Sequence, residues 1–256
     1  MKIIRIISGG RRMIWGHDYS MQLFVNLVIL IILLSIHFTM RYLKRKRHQK
    51  EDEITKIKQI DKSEYGDEII MSDNIILIGP IGVGKSTVAP EVARRTGKIH
   101  IDMDTLRGQI YALTDFSEEL AEKAYDNGGI IGWHDYQKPF ELFAVKTLLE
   151  QHRNSVIEFG GGQSVYTDAN QADTFLRLVK DESFVILMLP CEDITRSTKI
   201  LGARARNVEE KILNDIFISS ETNKKAAKYV VYTDGKTPRE TIDEIVGIYL
   251  NASSPI

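Results

Sequence analysis

The chain has 256 residues, of which 43% are hydrophobic, enough for one domain of ordinary size together with additional segments. Its formal net charge of −1 conceals an asymmetry: residues 1–50 contain ten Lys or Arg and one acidic residue, which leaves 24 basic and 34 acidic residues, a net of −10, in the remainder. An acidic body argues against general affinity for nucleic acid. The single cysteine, Cys191, excludes an internal disulfide and fits a reducing compartment.

The first 50 residues enclose an apolar segment, 23–40, that contains no charged side chain. As a helix it would reach about 27 Å, close to the roughly 30 Å hydrocarbon core of a bilayer. It therefore predicts a transmembrane helix, with an N-terminal flank at 1–22 and a charged juxtamembrane linker at 41–73. More basic residues follow the segment than precede it, which favours a cytoplasmic C-terminal part. The alternative is a mispredicted start, at Met21 or Met71, and a cytoplasmic protein.

The next predicted element is a strand that leads into a glycine-rich loop. The apolar run 74–78 is followed by G-P-I-G-V-G-K-S-T at 79–87, the P-loop spacing in which backbone N–H groups wrap a triphosphate at a helix N-terminus. Lys85 is expected between the β- and γ-phosphates, Ser86 on Mg²⁺ and Thr87 near the α-phosphate. The chain is therefore predicted to bind ATP or GTP through Gly79, Gly82, Val83, Gly84, Lys85, Ser86 and Thr87.

Beyond the loop, short β-rich runs alternate with longer amphipathic stretches. Strands are predicted at 74–78, 98–102, 155–159, 183–189 and 229–233, and helices beginning near residues 85, 117, 138, 170, 192, 208 and 238. Strands separated by helices form a parallel sheet that is covered on both faces and binds ligands at the carboxyl ends of its strands. The predicted fold is a P-loop NTPase-type three-layer α/β/α domain over residues 74–252, with a five-stranded parallel sheet.

Two predicted strands end in segments that suit a ligand site. Asp102 and Asp104 follow the second strand, where one could reach the Mg²⁺ shell and the other an acceptor hydroxyl. Capping of a helix by Asp104 would instead explain one of the two. The glycines at 160–162 follow the third strand and either expose backbone amides to a ligand or form a plain turn. Three histidines lack metal-ligand spacing and are expected on the surface: His100, His134 and His152.

In their order and spacing, these motifs resemble those of the shikimate kinase family. The similarity covers about residues 74–247 and includes the P-loop, the D-x-D of Asp102 and Asp104, the triple glycine, and the tail Y-T-D-G-K-T-P at 232–238. The resemblance implies an ATP-dependent kinase in which Asp102 supports Mg²⁺, Asp104 binds the acceptor hydroxyl, and Gly160, Gly161 and Gly162 touch the substrate.

The resemblance also implies how the nucleotide is held. Arg196 and Pro238 would flank the adenine. Arg204, in a mobile segment, would reach over the phosphates as a lid residue, and closure of such a lid excludes water that would compete as acceptor.

The chain departs from the family at the substrate arginines. An F-R-x-x-E stretch supplies one arginine in the family, whereas residues 137–141 here read Q-K-P-F-E, with Lys138 in the arginine's position. A second substrate arginine belongs where this chain has Ser220. Neither residue reproduces a bidentate guanidinium clamp, so an acceptor other than shikimate is expected beside Lys138. Glu158, where the family usually has a small neutral residue, would favour a neutral or cationic acceptor.

The predicted activity is in-line transfer of the γ-phosphoryl group from Mg·ATP to a hydroxyl of an unidentified small metabolite. Lys85 and Arg204 would stabilise charge, and Asp104 would orient the acceptor. Trp133 and Tyr136 could line the acceptor pocket or simply pack. Two other functions fit the same loop: a membrane-tethered NTP hydrolase or switch, and a non-catalytic nucleotide-binding module.

Overall fold

A computed structural model describes residues 73–253 of the chain. Its centre is a five-stranded parallel sheet with the strand order β2-β3-β1-β4-β5. The strands are β1 Ile75–Ile78, β2 Ile99–Asp102, β3 Ser155–Glu158, β4 Phe184–Leu189 and β5 Tyr229–Tyr232. All five predicted strands are confirmed to within one residue at either end.

Helices connect these strands and cover the sheet. They are α1 Lys85–Arg95, α2 Met103–Tyr111, α3 Glu118–Gln151, α4 Ala169–Leu178, α5 Ile194–Arg204, α6 Val208–Ile218, α7 Glu221–Ala226 and α8 Pro238–Ser253. Six of the predicted starts lie within two residues of an observed one. The start predicted near residue 138 was wrong because α3 already contains that position, and α2 and α7 were not predicted.

The element α3 consists of two helical stretches that meet at Gly129, so the division into two helices that the sequence predicts is present, but the second stretch begins before residue 138. Ser117 caps its beginning by accepting a hydrogen bond from the Leu120 N–H. Gly129 has a φ of 60° and interrupts the helical conformation, and a helical path continues beyond it to Gln151. Its C-terminal half packs against the sheet through Leu148 and neighbouring apolar residues. The helix thereby carries Lys138 to the edge of the sheet where β3 ends.

The core consists of two apolar layers, one on each face of the sheet. Ile75 and Leu77 of β1 pack against α1 and α8, together with residues such as Val92. Ile76 and Ile78 of the same strand face the opposite layer, which contains residues of α3 and α4 such as Leu148. All four residues of β1 are fully buried, as expected for the central strand of a sheet covered on both faces. The predicted three-layer fold is confirmed.

The predicted membrane segment is not part of the described structure. The N-terminal flank, the transmembrane segment at 23–40 and the linker up to residue 72 lie outside the described residues. Between residues 73 and 253, no helix is long and apolar enough to cross a bilayer.

Candidate active site

The loop after β1 has the backbone conformation of a phosphate cradle. Gly79 and Gly84 have φ angles of 138° and 107°, in the left-handed region that favours glycine. A Cβ on Gly79 would also collide with the carbonyl oxygen of Met188 in β4. Gly84 is the N-cap residue of α1, and no side chain caps that helix. The first N–H groups of α1 therefore face the space that the loop encloses, which suits an anion.

A side chain from α6 holds this loop from outside. The buried Asn214 accepts a hydrogen bond from the Ile81 N–H through Oδ1 at 2.8 Å and donates through Nδ2 to the Ile81 carbonyl at 3.1 Å. Two bonds to the backbone of one residue fix both its position and its orientation. The sequence gives no sign of Asn214 because 133 positions separate it from Ile81 and no local pattern marks it.

Lys85 is buried at the start of α1 and points back into the loop. Its ammonium donates to the carbonyl oxygens of Gly79 at 2.7 Å and Pro80 at 3.0 Å. Burial lowers the pKa of Lys85 to about 8, and the negative charges of Asp104 and Glu158 oppose that decrease. The structure therefore places a lysine of reduced proton affinity among the amides that would bind phosphate.

A cavity of about 250 Å³ opens beside the loop, and several predicted nucleotide-binding residues line it, among them Gly82, Val83, Thr87, Arg204 and Pro238. Arg204 ends α5, and its Nη1 donates to the Gly82 carbonyl at 3.3 Å. The predicted lid arginine therefore already lies over the P-loop. Arg196 does not line this cavity, because its guanidinium pairs with the Asp234 carboxylate. Its role beside an adenine stays a prediction.

The two predicted metal-binding residues, Ser86 and Asp102, lie at the carboxyl edge of the sheet. Asp102 is the N-cap residue of α2: its Oδ1 accepts from the Asp104 N–H at 2.9 Å and its Oδ2 from the Thr105 hydroxyl at 2.6 Å. The prediction that Asp104 caps this helix was therefore wrong, because α2 begins at Met103, two residues earlier than a cap at Asp104 would require. Among residues 73–253, no group of three His, Cys, Asp or Glu side chains is arranged to hold a metal ion.

Asp104, in the first turn of α2, lines a second cavity of about 440 Å³. Its Oδ1 accepts a hydrogen bond from Gln163 Nε2 at 3.0 Å and lies 3.8 Å from Arg107 Nη1. Burial raises the pKa of Asp104, while Arg107 and Lys85 oppose the increase. A higher pKa makes the carboxylate a stronger base, as required of a group that accepts a hydroxyl proton.

Aromatic and polar side chains of α2 and α3 form the other walls of this acceptor-side cavity. Trp133 lines it, together with residues such as Arg107, Tyr111 and Gln137. Tyr136 does not: its hydroxyl bonds to the backbone of Ser117 at the start of α3. Of the two aromatic residues left open by the sequence, Trp133 is therefore at the cavity and Tyr136 packs. Glu158, expected beside the acceptor, is not among the lining residues.

The three glycines after β3 are required for close packing. A Cβ on Gly160 would lie 2.5 Å from Asp104 Oδ1, and one on Gly161 would lie 2.6 Å from the Ile81 side chain of the P-loop. One on Gly162 would lie 2.9 Å from His134 Nε2. The Gly160 N–H donates to Gln163 Oε1 at 2.7 Å, so Gln163 ties this loop to Asp104. The sequence predicted the loop and missed Gln163.

Lys138, predicted to contact the acceptor, is buried instead in an internal ion pair. Only 3% of the residue is exposed, and its Nζ donates to Glu141 Oε2 at 2.5 Å and to the Gly162 carbonyl at 2.7 Å. Burial lowers the pKa of Lys138, while the charge of Glu141 opposes that decrease. Lys138 does not line the acceptor-side cavity.

His134, near the ion pair of Lys138 and Glu141, also differs from the prediction. His134 was expected on the surface, which was wrong: it is 5% exposed and packs on the ring of Phe217 at a centroid distance of 5.4 Å. Burial lowers its pKa, and the charge of Lys138 lowers it further. His134 is therefore a buried packing residue behind the triple glycine.

A parallel sheet that leads into a lysine-bearing phosphate loop, with a carboxylate and a second cavity alongside, defines a small-molecule kinase of the P-loop class, an ATP-dependent phosphotransferase. The family model for shikimate kinase matches residues 81–249. Because that match spans 169 of the 256 residues, the chain belongs to the shikimate kinase family, and the predicted resemblance is confirmed.

The chain is also similar to individual shikimate kinases. The chain is 29% identical over 171 residues to the shikimate kinase of Streptomyces coelicolor, covering 65% of this chain and 89% of that protein. It is 27% identical over 176 residues to the shikimate kinase of Bacillus subtilis, covering 68% and 87%. Among solved structures, the shikimate kinase from Acinetobacter baumannii in complex with shikimate matches 70% of this chain and 94% of its own, at 19% identity and a TM-score of 0.47.

Proposed function

We propose that the protein transfers the γ-phosphoryl group of Mg·ATP to a hydroxyl of a small metabolite other than shikimate. One observation supports the choice of acceptor: Lys138, at the position of the family's substrate arginine, is buried against Glu141 and the Gly162 carbonyl. Two of the three ammonium donors are engaged there, and an ammonium lacks the planar fork that matches a carboxylate.

The second expected arginine position supports the same conclusion. Ser220 is the N-cap residue of α7, and its hydroxyl accepts a hydrogen bond from the Asn223 N–H at 3.2 Å. Among the residues of the described chain that line the acceptor-side cavity, Arg107 is the only cation, and it faces Asp104. A carboxylate-bearing acceptor would therefore find one partly neutralised guanidinium in place of two arginines.

Each residue of the site has a role in this reaction. The P-loop amides and Lys85 bind the β- and γ-phosphates. Ser86 and Asp102 would hold Mg²⁺, which when bound would offset the charge of those phosphates. Asp104 orients the acceptor hydroxyl and accepts its proton as the new P–O bond forms and the bond between the β- and γ-phosphates breaks. Arg204 covers the transferred group and helps to exclude water.

The experiment is a metabolite screen with the purified full-length protein and labelled ATP. ATP consumption should rise when pools of small hydroxylated metabolites are added, and shikimate, tested separately, should be a poor acceptor. If shikimate proved the best acceptor, the proposal about Lys138 would be wrong. ATP consumption at the same rate with and without every acceptor would indicate a hydrolase. Tight ATP binding without turnover would indicate a nucleotide-binding module.

We also propose that residues 23–40 anchor the kinase domain to a membrane, with that domain on the cytoplasmic side. The support is the uncharged segment itself and the basic cluster at 41–47 that follows it. Fractionation of cells that express the full chain tests this, and recovery of the protein entirely in the soluble fraction would overturn it.

A further inference from the structure

Two buried side chains of the acceptor-side cavity have polar atoms that the roles above do not use. Tyr111 is the last residue of α2 and Gln137 lies in the second stretch of α3; both line the cavity, and they are 6% and 3% exposed. Neither the Tyr111 hydroxyl nor Gln137 Nε2 has a hydrogen-bond partner among the residues that the structure describes. Buried polar atoms are normally paired, because the loss of their contacts with water costs free energy. Two unpaired atoms in the wall of one cavity therefore indicate a ligand that supplies their partners.

Both side chains are held by the packing around them. The ring of Tyr111 lies against Phe116 at a centroid distance of 5.0 Å and against Phe140 at 6.0 Å. Gln137 directly precedes Lys138, whose buried ion pair fixes that turn of α3. Groups that are already in place before a ligand arrives lose little conformational entropy when it binds. The cavity thus has the predominantly aromatic wall and the few fixed polar groups of a small-molecule site.

The hydrogen-bonding chemistry of the two atoms favours hydroxyl groups as their partners. Gln137 Nε2 can only donate, so an ammonium group, which also only donates, cannot pair with it. The Tyr111 hydroxyl can donate and accept. Burial raises the pKa of Tyr111, and the negative charge of Glu141 raises it further, so this hydroxyl keeps its proton. A ligand hydroxyl, which both donates and accepts, can pair with either atom.

The charge of the cavity disfavours a carboxylate in the same place. Three charged side chains line the cavity: the acids Asp104 and Glu118, and the cation Arg107, which faces Asp104. A carboxylate that accepted hydrogen bonds from Tyr111 and Gln137 would add a further negative charge to a lining that already has an excess of one. Like charges brought together in a binding site cost free energy. A neutral acceptor avoids that cost.

The length and the aromatic wall of the cavity suit a ring-shaped molecule. Asp104 and Tyr111 lie seven residues apart on α2, which is about 10 Å along the helix axis. On α3, Trp133 and Gln137 are four residues apart and so lie on the same side of the helix. The face of an aromatic ring carries negative partial charge, so the C–H groups of a saturated ring can pack on it while the hydroxyls of that ring turn to polar groups. A short alcohol bound at Asp104 would leave this wall uncovered.

We propose that the acceptor is a neutral ring compound with several hydroxyl groups, of the sugar or cyclitol class. One hydroxyl lies at Asp104 for phosphorylation, Trp133 packs on the C–H face of the ring, and Tyr111 and Gln137 bind hydroxyls that do not react. This inference rests on the proposed kinase function and names the class of its acceptor. It makes Tyr111 and Gln137 the residues that determine specificity.

A fluorescence titration of the full-length protein tests this class without relying on turnover. Trp15→Phe leaves Trp133 as the only tryptophan of the chain, so its emission reports what enters the cavity. The probes are a panel of neutral pentoses, hexoses and inositols, with glucosamine as a cationic counterpart and glucuronate and shikimate as anionic ones. At least one neutral ring should change the emission saturably and bind about tenfold or more tightly than every charged probe. Tighter binding of a charged probe, or no response to any neutral ring, would overturn the inference.

Two substitutions remove the polar atoms and keep the shape of the side chains, Tyr111→Phe and Gln137→Met. Each should weaken binding of the best neutral ring about threefold to tenfold, the usual effect of one hydrogen bond. Neither should lower the free energy of unfolding in urea, because an unpaired buried polar group is replaced by an apolar one. Loss of stability with unchanged binding would show that these atoms serve the fold instead.

The matched control is Tyr136→Phe. Tyr136 belongs to the same aromatic cluster, with its ring 5.7 Å from that of Phe116, but its hydroxyl is paired with the backbone of Ser117 and it does not line the cavity. This variant should show the opposite pattern to Tyr111→Phe: a lower free energy of unfolding and an unchanged affinity for the neutral ring.

The outcomes separate this inference from the proposed function. If the metabolite screen finds that the best acceptor is not a neutral ring, the kinase function stands and this inference is overturned. If a neutral ring binds as described but never receives phosphate from ATP, the kinase function is overturned and the ring-binding site remains. Should one of the two variants fail to fold, the other decides: weakened ring binding supports the inference, and unchanged binding overturns it.

Discussion

The buried lysine of the P-loop makes the stability of the protein depend on pH. The pKa of Lys85 is about 8 in the folded chain, below the ordinary value of 10.5. Between these two values the unfolded chain binds more protons, so the free energy of unfolding should increase as the pH rises from about 8 towards 10.5. The shift corresponds to an increase of about 3 kcal/mol at most.

Urea unfolding of the wild-type protein and of Lys85→Met between pH 7.5 and 10 measures this effect. Lys98, whose pKa burial also lowers to about 8, contributes equally to both proteins and cancels in the comparison. The difference in unfolding free energy between the wild-type protein and the variant should therefore change in favour of the wild type as the pH rises. A difference that is independent of pH would contradict the lowered pKa of the buried Lys85.

A second buried charge, on Lys138, depends on a single carboxylate. Glu141→Gln should destabilise the protein by about 3 kcal/mol, because it leaves the buried ammonium without its counter-charge. Glu150→Gln is the matched control, since Glu150 lies on the same helix and pairs with Lys146 at 3.9 Å on the exposed surface. That change should cost less than about 1 kcal/mol. Equal losses in chemical denaturation would show that the Lys138 pair is not buried as described.

Strands and helices were predictable to different degrees. The strands were found because each is a short apolar run, and the P-loop because its residues are contiguous. Helix α2 was missed because Asp102-Met103-Asp104 reads as the end of a strand, while in the structure Asp102 is already a helix cap. The ion pair of Lys138 with Glu141 is local in sequence, but its burial against the Gly162 carbonyl depends on the packing of α3 against the β3 loop.

The contact between Asn214 of α6 and Ile81 of the P-loop could not be predicted from the sequence either. It allows a test of how one helix positions the phosphate loop. Asn214→Ala should leave both backbone groups of Ile81 without their partner and cost about 1–3 kcal/mol. Hydrogen exchange at the Ile81 amide should accelerate, and the affinity for Mg·ATP should fall. Asn214→Asp keeps the acceptor but buries a negative charge against the Ile81 carbonyl, so it should cost at least as much stability as Asn214→Ala. Asn170→Ala, on the exposed start of α4, should change neither exchange at Ile81 nor affinity.

The fold as a whole brings distant parts of the chain to one edge of the sheet. Four strands lead into the site: β1 into the loop at 79–87, β2 into Asp104 on α2, β3 into the glycines at 160–162, and β4 into α5, which ends with Arg204. Because the strands are parallel, their carboxyl ends lie together. Phosphoryl transfer needs this convergence, because donor and acceptor must meet while water is kept out. Arg204 contributes from the segment that covers the loop.

Two arginines of the same helix allow a test of that covering role. Arg204 donates to the Gly82 carbonyl of the P-loop, whereas Arg196 pairs with Asp234 and is 65% exposed. Arg204→Ala should lower ATP turnover, measured with the most active metabolite pool of the screen, by about 10²-fold, because the proposed mechanism places this cation at the transferred group. Its affinity for Mg·ADP should change little, since ADP lacks that group. At saturating ATP, Arg196→Ala should leave turnover nearly unchanged, because its predicted contact with the adenine affects binding of ATP and not phosphoryl transfer. A larger loss in Arg196→Ala than in Arg204→Ala would contradict the lid role of Arg204.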